Sequence, residues 1–396
     1  MFELLTGHGV DNLRSSDAFI YLFKGYTIVG TNPPMDAGPL YYIWSAFLNT
    51  NAVIFSPFLC GVGYILKYMQ HTIETKQLLI GIQSSLNVLG IPPKIIIMTL
   101  SLKRLRSMES TLALMDARYT KPEDLNLIRK SAIMGNRLVF AFGMAYFSYW
   151  LLTGTSCLIN GKAPLSLWIP FLDENRSNFD FCFQSTIDLF FMFFFLLYQV
   201  LNDSYGSVYI CVIRAHLQLL VRRVQLLGRN VEMSSDDKIK ELVDCIITHQ
   251  QILKLLGVIE PIISKTMFTQ FLIAASILCV TMINMFISDD LSTQVASGAY
   301  FMCVLLQISP CCYFASELMA DSEKLPDAIF HCNWVEQDRC FRKMIIYFMH
   351  RSQLSIQLTA MKLFSINVAT NVSIAKFSFT LFTFVKEMGI GQNAKK

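Results

Sequence analysis

Polar side chains are dense in the last apolar stretch of the chain, and their chemistry suits a path for water and ions. They are Ser365, Asn367, Thr370, Asn371, Ser373, Lys376, Ser378, Thr380 and Thr383. An amide or an ammonium group is costly in hydrocarbon unless it faces protein or water. The pattern favours a helix that lines a water-filled path between subunits. In the alternative, the small hydroxyls bond back to their own helix or join neighbouring helices.

Sequence patterns typical of enzymes are missing. The chain has no phosphate-binding glycine loop, no HExxH and no GxSxG. Its six His are dispersed and its eleven Cys include no CxxC pair, so neither a zinc site nor a disulfide framework is indicated. Asp188, Asp203 and Glu317 lie singly in apolar stretches. We therefore expect no catalysis, no metal and no cofactor, and the net charge of +4 does not indicate a nucleic-acid partner.

The composition indicates a protein that resides in a bilayer. Hydrophobic residues make up 53% of the chain and charged residues 16%, whereas a soluble domain carries about a quarter charged residues. A helical span needs about 20 mostly apolar residues. Seven stretches qualify: Leu40–Leu66, Leu78–Leu100, Ala132–Leu158, Phe181–Ile213, Val258–Ile287, Val295–Leu318 and Leu363–Val385.

The distribution of Lys and Arg predicts how these spans are oriented. The connections after the second, fourth and sixth spans are rich in basic residues, and the alternate connections are poor in them. Because basic loops stay in the cytoplasm, the N-terminus is predicted to be cytoplasmic and the C-terminus extracellular. Asn175 begins an Asn-Arg-Ser sequon in a connection predicted to lie outside, and it is a candidate for glycosylation.

Two of the basic connections have the periodicity of amphipathic helices. Apolar residues recur at helical spacing in Val212–Leu227 and in Ile239–Gln250. The fourth apolar stretch is also longer than a bilayer requires. We predict an all-α membrane protein with seven transmembrane helices, whose helical cytoplasmic extensions form a subunit-contact (anchor) region.

Two familiar membrane classes do not fit this pattern. Secondary transporters have duplicated halves, and no such internal symmetry is visible in the sequence. G-protein-coupled receptors also have seven spans, but their N-terminus is outside, and the DRY and NPxxY sequences of that family are absent.

The C-terminal third of the chain resembles the insect odorant receptor family. The residues that carry the resemblance are Pro310-Cys311-Cys312-Tyr313-Phe314, Glu317, Ser322-Glu323-Lys324-Leu325, Ala328-Ile329-Phe330, Trp334, Arg342-Lys343-Met344, Phe348-Met349, Ala360 and Ile374-Ala375-Lys376-Phe377-Ser378-Phe379-Thr380-Leu381. Asp17-Ala18-Phe19, Tyr21-Leu22, Gly30 and Pro33-Pro34 resemble the opening segment of that family. Between these ends the similarity lies in length and topology.

This resemblance implies a subunit of an odorant-gated, non-selective cation channel. In that family the last helix of four subunits lines a central pore, and cytoplasmic helices form the tetramer contact. The shared co-receptor has a much longer connection between the fourth and fifth spans, so this chain resembles a ligand-tuning subunit of a heterotetramer with the co-receptor. The Thr-Tyr…Gln-Phe motif of gustatory receptors is absent. The resemblance also implies the plasma membrane, in sensory dendrites of olfactory neurons.

Residue roles follow from the same resemblance. The predicted pore residues are Asn371, Lys376, Thr380, Phe384 and Glu387. Phe384 aligns near the hydrophobic gate, where the family has Val, and Glu387 aligns near the outer mouth, where the family has Gln. A carboxylate there favours cations, although a solvated helix end is an equal alternative. The predicted subunit contacts are Trp334, Lys343 and Phe348.

The resemblance places the odorant pocket within one helix bundle, toward its outer half. Volatile ligands are small and mostly apolar, so their affinity comes from shape and burial with few hydrogen bonds. The candidates are Ser84, Asn87, Gly143, Tyr146, Trp150, Phe190, Phe194 and Tyr300, with Tyr146 and Trp150 foremost. Ordinary packing or lipid contact is the alternative for each.

Four segments follow from this assignment. Residues 1–36 form the cytoplasmic N-terminal segment, 37–318 the first six helices with the ligand-binding bundle, 319–362 the anchor region, and 363–396 the pore-lining helix with the extracellular C-terminus. The alternative function is a non-conducting chemosensory membrane receptor, either gustatory-like or signalling through partners.

Overall fold

The fold is described from a computed structural model of the full chain. The structure describes residues 3–6, 13–69, 75–159, 161, 163–165, 177–230, 232–287 and 291–387. Asn175, the predicted glycosylation site, lies outside these residues.

Helices account for nearly all of the described structure. The α-helices are α1 (Glu3–Thr6), α2 (Ile20–Ile28), α3 (Pro39–Thr50), α4 (Ser56–Met69), α5 (Thr75–Leu89), α6 (Ile91–Asp116), α7 (Pro122–Ile159), α8 (Asn178–Leu226), α9 (Ser235–Ile287), α10 (Leu291–Phe330), α11 (Arg339–Ser352) and α12 (Val368–Glu387). A 3₁₀ helix, Ser15–Phe19, precedes α2, and a π-helical segment, Asn51–Phe55, joins α3 to α4.

A two-stranded hairpin precedes α12. Strands β1 (Thr359–Ala360) and β2 (Phe364–Ser365) pair antiparallel. Met361 and Lys362 in the connecting turn both have positive φ, 50° and 59°, which is the left-handed conformation that tight hairpin turns require. Because of this hairpin, the last predicted span begins as a helix only at Val368.

Within the part of the chain that the structure describes, five helices are long and apolar enough to cross a membrane, and they coincide with the second to sixth predicted spans. They are Gly81–Asp116, Pro122–Ile159, Asn178–Leu226, Ser235–Phe286 and Ser297–Phe330, and Val368–Phe384 is a shorter apolar helix at the seventh span. The first predicted span corresponds to α3, the π-helical segment and α4. Within the second span, Pro92 and Pro93 lie in the first turn of α6, where proline costs no helical hydrogen bond.

The long helices continue well past the thickness of a bilayer. Helix α8 has 49 residues and α9 has 53. At 1.5 Å per residue α8 is about 73 Å long, against about 30 Å of hydrocarbon. The predicted continuation of the fourth span as a helix beyond the bilayer is confirmed, and the cytoplasmic location of that extension stays a prediction. Helix α10 likewise runs unbroken across residue 318, so the boundary predicted there is not a break in the helix.

Helix α8 forms the centre of the bundle. Every residue from Tyr198 to Ile213 is buried, because α7 and α10 pack on its sides and the N-terminal 3₁₀ helix and α2 cover part of it. The polar side chains of a helix that is buried on all faces cannot reach water, so they must find hydrogen-bond partners inside the bundle. The polar groups of α8 therefore determine where the site forms.

Candidate ligand cavity

A cavity of about 330 Å³ lies between α5, α7, α8 and α10. Its lining is mostly apolar, with a few polar groups, which is the usual composition of a small-molecule site. The lining residues are Asn87, Leu138, Ala141, Phe142, Ala145, Tyr146, Tyr149, Leu196, Tyr300, Cys303, Val304, Leu306, Gln307 and Pro310.

Three of the predicted ligand-binding residues meet at this cavity. Asn87 comes from the end of α5, Tyr146 from the middle of α7 and Tyr300 from α10. The side-chain amide of Asn87 donates a hydrogen bond to the Tyr300 hydroxyl at 3.1 Å. These residues are far apart in sequence, and only the packing of their helices brings them together.

A buried ion pair lies beside the cavity. The Lys94 ammonium is 3.0 Å from Asp203 Oδ1, and both side chains are nearly inaccessible, at 2% and 3% exposure. The other carboxylate oxygen, Oδ2, accepts a hydrogen bond from the Tyr146 hydroxyl at 2.7 Å and one from Gln307 Nε2 at 2.5 Å. One carboxylate on α8 thus connects α6, α7 and α10.

A second set of hydrogen bonds leads from the same ammonium to the cavity wall. Lys94 Nζ donates to Gln199 Oε1 at 3.2 Å, and Gln199 Nε2 donates to Asn87 Oδ1 at 3.1 Å. The Asn87 bond to Tyr300 completes the series. Buried polar groups are costly when unpaired, and here each partner satisfies the next.

Asp203 and Glu317, which lie singly in their apolar stretches of sequence, each form an ion pair with a basic residue of another helix. Asp203 pairs with Lys94, and Glu317 pairs with Arg214, whose Nη2 is 2.5 Å from Glu317 Oε2. In each pair the partners are about a hundred positions apart, so local sequence patterns do not reveal them. A lysine within an apolar span was the one available signal, because such a charge requires a partner.

The remaining predicted ligand-binding residues do not line this cavity. Gly143 borders a separate surface cavity beside α2. The Trp150 indole donates to the Leu189 carbonyl at 3.1 Å. The Phe190 and Phe194 rings contact each other at a tilt of 55°, with centroids 5.0 Å apart, and Phe194 also packs against Trp44, on the side of the bundle facing α3. The Ser84 side chain lies outside the described residues.

The predicted pore residues divide into one that faces the bundle and four that face outward. The Asn371 amide donates to the Leu305 carbonyl at 3.3 Å and to the Ser309 hydroxyl at 2.9 Å, both on α10. Lys376, Thr380, Phe384 and Glu387 are exposed, and Glu387 is the last residue of α12. Spacings of four and three residues keep these four on one side of the helix.

The predicted subunit-contact residues have three different environments. Phe348 is buried inside the chain, with its ring 5.6 Å from the His249 ring. Trp334 is half-buried and donates to the Phe330 carbonyl at 3.1 Å, whereas Lys343 is exposed on α11. Ile346 and Tyr347 on the same helix are apolar side chains open to solvent, at 57% and 67% exposure.

Among the described residues, no three His, Cys, Asp or Glu side chains come together in a way that could hold a metal ion.

Comparison with known proteins gives consistent matches over nearly the whole chain. The family model described as "7tm Odorant receptor" matches residues 74–379. Odorant receptor 42a of Drosophila melanogaster is 32% identical over 387 residues, which cover 97% of this chain and 94% of that protein. Odorant receptor 42b of the same species is 32% identical over 398 residues, covering 100% of this chain and 99% of that protein.

The fold is similar to that of a solved insect receptor. The olfactory receptor OR5 from Machilis hrabei superposes with a TM-score of 0.76 at 16% identity, covering 93% of this chain and 97% of that chain. The structure of OR5 in complex with eugenol gives the same TM-score over 94% of this chain. At this identity the likeness concerns the fold.

Proposed function

This chain belongs to the insect odorant receptor family, and from that premise we propose that it is the ligand-tuning subunit of an odorant-gated, non-selective cation channel. The observation that carries the proposal is the cavity of about 330 Å³ between α5, α7, α8 and α10, which is open on the side of Tyr149 and Leu306. It is of the size of small-molecule sites, mostly apolar, and contains few polar groups. Such a site suits a volatile molecule.

The ligand in this proposal occupies the cavity between α5, α7, α8 and α10. Asn87, Tyr146 and Tyr300 supply its polar groups. The fold shared with OR5, which has been solved with eugenol, supports a small organic ligand as the occupant. Gly143, Trp150, Phe190 and Phe194 then act by shaping the bundle around the site rather than by touching the ligand.

The pore in this proposal is lined by α12. Its exposed face carries Lys376, Thr380 and Phe384, with Phe384 as the hydrophobic constriction and Glu387 at the mouth as the group that favours cations. Lys376 is unfavourable in a cation path, and one such residue among four subunits is tolerable where the other subunits lack it. Asn371 does not line the pore; it ties α12 to α10, which also forms the cavity wall.

The partner in this proposal is the family's co-receptor, in a heterotetramer. The connection between α8 and α9 is short, running only from Leu227 to Ser234, which supports the role of a ligand-tuning subunit. On α11, exposed Lys343, Ile346 and Tyr347 offer a surface for a neighbouring subunit. Trp334 and Phe348 hold that region in place from within.

The proposed location is the plasma membrane of olfactory sensory dendrites. The apolar helices support a membrane location, and the basic connections support a cytoplasmic N-terminus and an extracellular C-terminus.

Voltage clamp with a panel of volatile odorants tests the proposal. Three conditions are compared: this chain expressed alone, the co-receptor expressed alone, and the two expressed together. We expect an odorant-evoked cation current only from the pair, with at least one panel member that does not activate the co-receptor by itself. Absence of current with every odorant, despite surface expression of both chains, favours a non-conducting receptor and rejects the channel.

A further inference from the structure

We infer that the cavity selects small, mostly apolar molecules that carry a hydrogen-bond acceptor such as a carbonyl oxygen, and that the Tyr300 hydroxyl donates to that oxygen. The inference rests on the proposed function, since it concerns the ligand of the same cavity. It follows from the direction of the hydrogen bonds that lead from Lys94 to the cavity wall.

The direction of these hydrogen bonds is fixed at the Lys94 ammonium. An ammonium group can only donate, so Gln199 must present its carbonyl oxygen to Lys94 and its NH₂ group to the next residue. Asn87 therefore accepts with its carbonyl oxygen from Gln199. Its own NH₂ group is left to donate, and it donates to Tyr300.

The Tyr300 hydroxyl is consequently an acceptor toward Asn87 and retains its proton. Among the described residues no acceptor receives a hydrogen bond from this hydroxyl. Tyr300 lines the cavity together with Asn87, so an acceptor inside the cavity is the partner that remains. The positive charge at the start of the series polarises each bond in the same sense, which strengthens the last O–H as a donor.

Two other polar side chains of the cavity, Tyr146 and Gln307, already donate to Asp203. The Asp203 carboxylate can only accept hydrogen bonds, and it accepts one from the Tyr146 hydroxyl and one from the NH₂ group of Gln307. The Tyr149 side chain lies at the exposed edge of the cavity, with 42% of its surface accessible. Cys303 offers only a weak sulfur donor.

The rest of the wall requires an apolar ligand body. Leu138, Phe142, Leu196 and Val304 supply carbon surface between the polar groups. A charged or strongly polar ligand would lose its hydration there without compensation. A short alkyl chain with one carbonyl group satisfies both the hydroxyl and the carbon surface.

Matched ligand pairs test this inference on the assembled channel with its co-receptor. The probes are methyl alkyl ketones with butyl to heptyl chains, each paired with the analogue in which a methylene group replaces the carbonyl oxygen. For the unmodified chain we expect half-maximal activation by the ketone at a concentration about tenfold lower than by its analogue, as one hydrogen bond to a buried donor provides. This arm requires no substitution.

Two tyrosine variants assign the difference to one hydroxyl. Tyr300→Phe removes the donor but keeps the ring, so we expect it to abolish the preference for the ketone while the response to the methylene analogue is retained. The matched control is Tyr149→Phe, another cavity tyrosine, which should preserve the preference. Surface labelling normalises the currents.

Several outcomes would overturn the inference. They are equal responses to ketone and analogue, a preference that survives in Tyr300→Phe, a preference lost only in Tyr149→Phe, or no response to any ketone while other volatile classes evoke current. In each case the proposed channel function stands. Absence of current with every volatile tested, despite surface expression, instead contradicts the proposed function itself.

Discussion

The buried pair of Lys94 and Asp203 shows how single residues organise the cavity wall. Each charge would be very costly among apolar helices without the other. Together they accept or donate three further hydrogen bonds, which fix Tyr146, Gln199 and Gln307. Buried ion pairs contribute little net stability compared with apolar residues. The main effect of this pair is therefore to position the side chains that are hydrogen-bonded to it.

Removing one charge of this pair should lower the stability of the protein far more than removing both charges. Lys94→Met or Asp203→Asn leaves the opposite charge buried and unpaired, which costs about 3–5 kcal/mol. The double variant should recover most of the loss. The measurement is the thermal unfolding midpoint in detergent, followed by fluorescence-detected gel filtration.

A surface pair provides the control. Lys240→Ala breaks an ion pair with Asp237 in which both side chains are exposed, so the midpoint should not move. If the double variant of Lys94 and Asp203 is as unstable as the worse single variant, the two residues do not act as a pair.

Burial of His249 predicts a loss of stability in acid. Burial, assisted by the nearby Arg351, lowers the pKa of this imidazole to about 4, against about 6.5 in the unfolded chain. The folded state therefore favours the neutral ring, and its stability is complete above pH 6.5 and declines as the pH falls toward 4. Between pH 7.5 and 5.5 the loss should be about 1 kcal/mol.

The unfolding midpoint measured at both pH values checks this loss. His249→Gln should show a smaller shift between pH 7.5 and 5.5 than the unmodified chain. His350→Gln, at an exposed position on α11, should show the same shift as the unmodified chain. An unchanged pH shift in His249→Gln would assign the acid sensitivity to other groups.

At the scale of elements, the N-terminal 3₁₀ helix is held in the bundle by close approach to α7 and by hydrogen bonds. The Ser15 hydroxyl donates to Asp116 at the end of α6, at 2.7 Å, and lies 2.9 Å from the buried His216 ring on α8. Gly135 on α7 permits the contact, because a Cβ there would lie 2.9 Å from the Ala18 Cβ and 3.0 Å from Val208 on α8.

Two glycines of α7 should respond oppositely to alanine. Gly135→Ala forces α7 away from the 3₁₀ helix and α8, at a cost of about 1–3 kcal/mol. Gly143→Ala meets no atom within 4 Å and should stabilise the helix by up to about 1 kcal/mol. Unfolding midpoints in detergent measure both. A similar effect of the two substitutions would mean that α7 does not pack at Gly135 in this way.

At the scale of the whole molecule, the long helices combine an exposed apolar surface at one end with a helical extension that carries charged pairs at the other. Leu152 and Ile159 near the end of α7 are open at 69% and 84% exposure, which suits lipid contact. In the opposite direction, Arg223 and Arg214 on α8 form ion pairs with Asp244 on α9 and Asp321 on α10, at 2.8 Å and 2.7 Å. Charged side chains need water or an opposite charge as a partner, and the end of the bundle that extends beyond the bilayer provides both.

The orientation of the molecule is tested with terminal epitopes. A C-terminal tag should be labelled on intact cells, and an N-terminal tag only after permeabilisation, because the basic connections hold their side of the bundle in the cytoplasm. Asn175→Gln should remove a glycan-dependent shift in gel mobility. Labelling of the N-terminal tag on intact cells would reverse the orientation.

The sequence alone was sufficient for the class of protein and the positions of most helices. Hydropathy and the spacing of apolar residues are local properties, so they predicted the second to sixth spans and the extension of α8 beyond the bilayer. The resemblance in Pro310–Phe314 and in Ile374–Leu381 was enough to indicate the family. The hairpin at 359–365 was not predicted, because two-residue strands have no periodicity that a sequence reveals.

Only the tertiary structure decided which side chains meet. Asn87, Tyr146 and Tyr300 share the cavity, whereas Trp150 on the same helix as Tyr146 faces another neighbour. The rotation of each helix about its own axis depends on the shapes of its neighbours, and sequence periodicity indicates a face but not what covers it. For the same reason the pairing of Lys94 with Asp203 and the turn of Asn371 toward α10 became apparent only once the helices were packed.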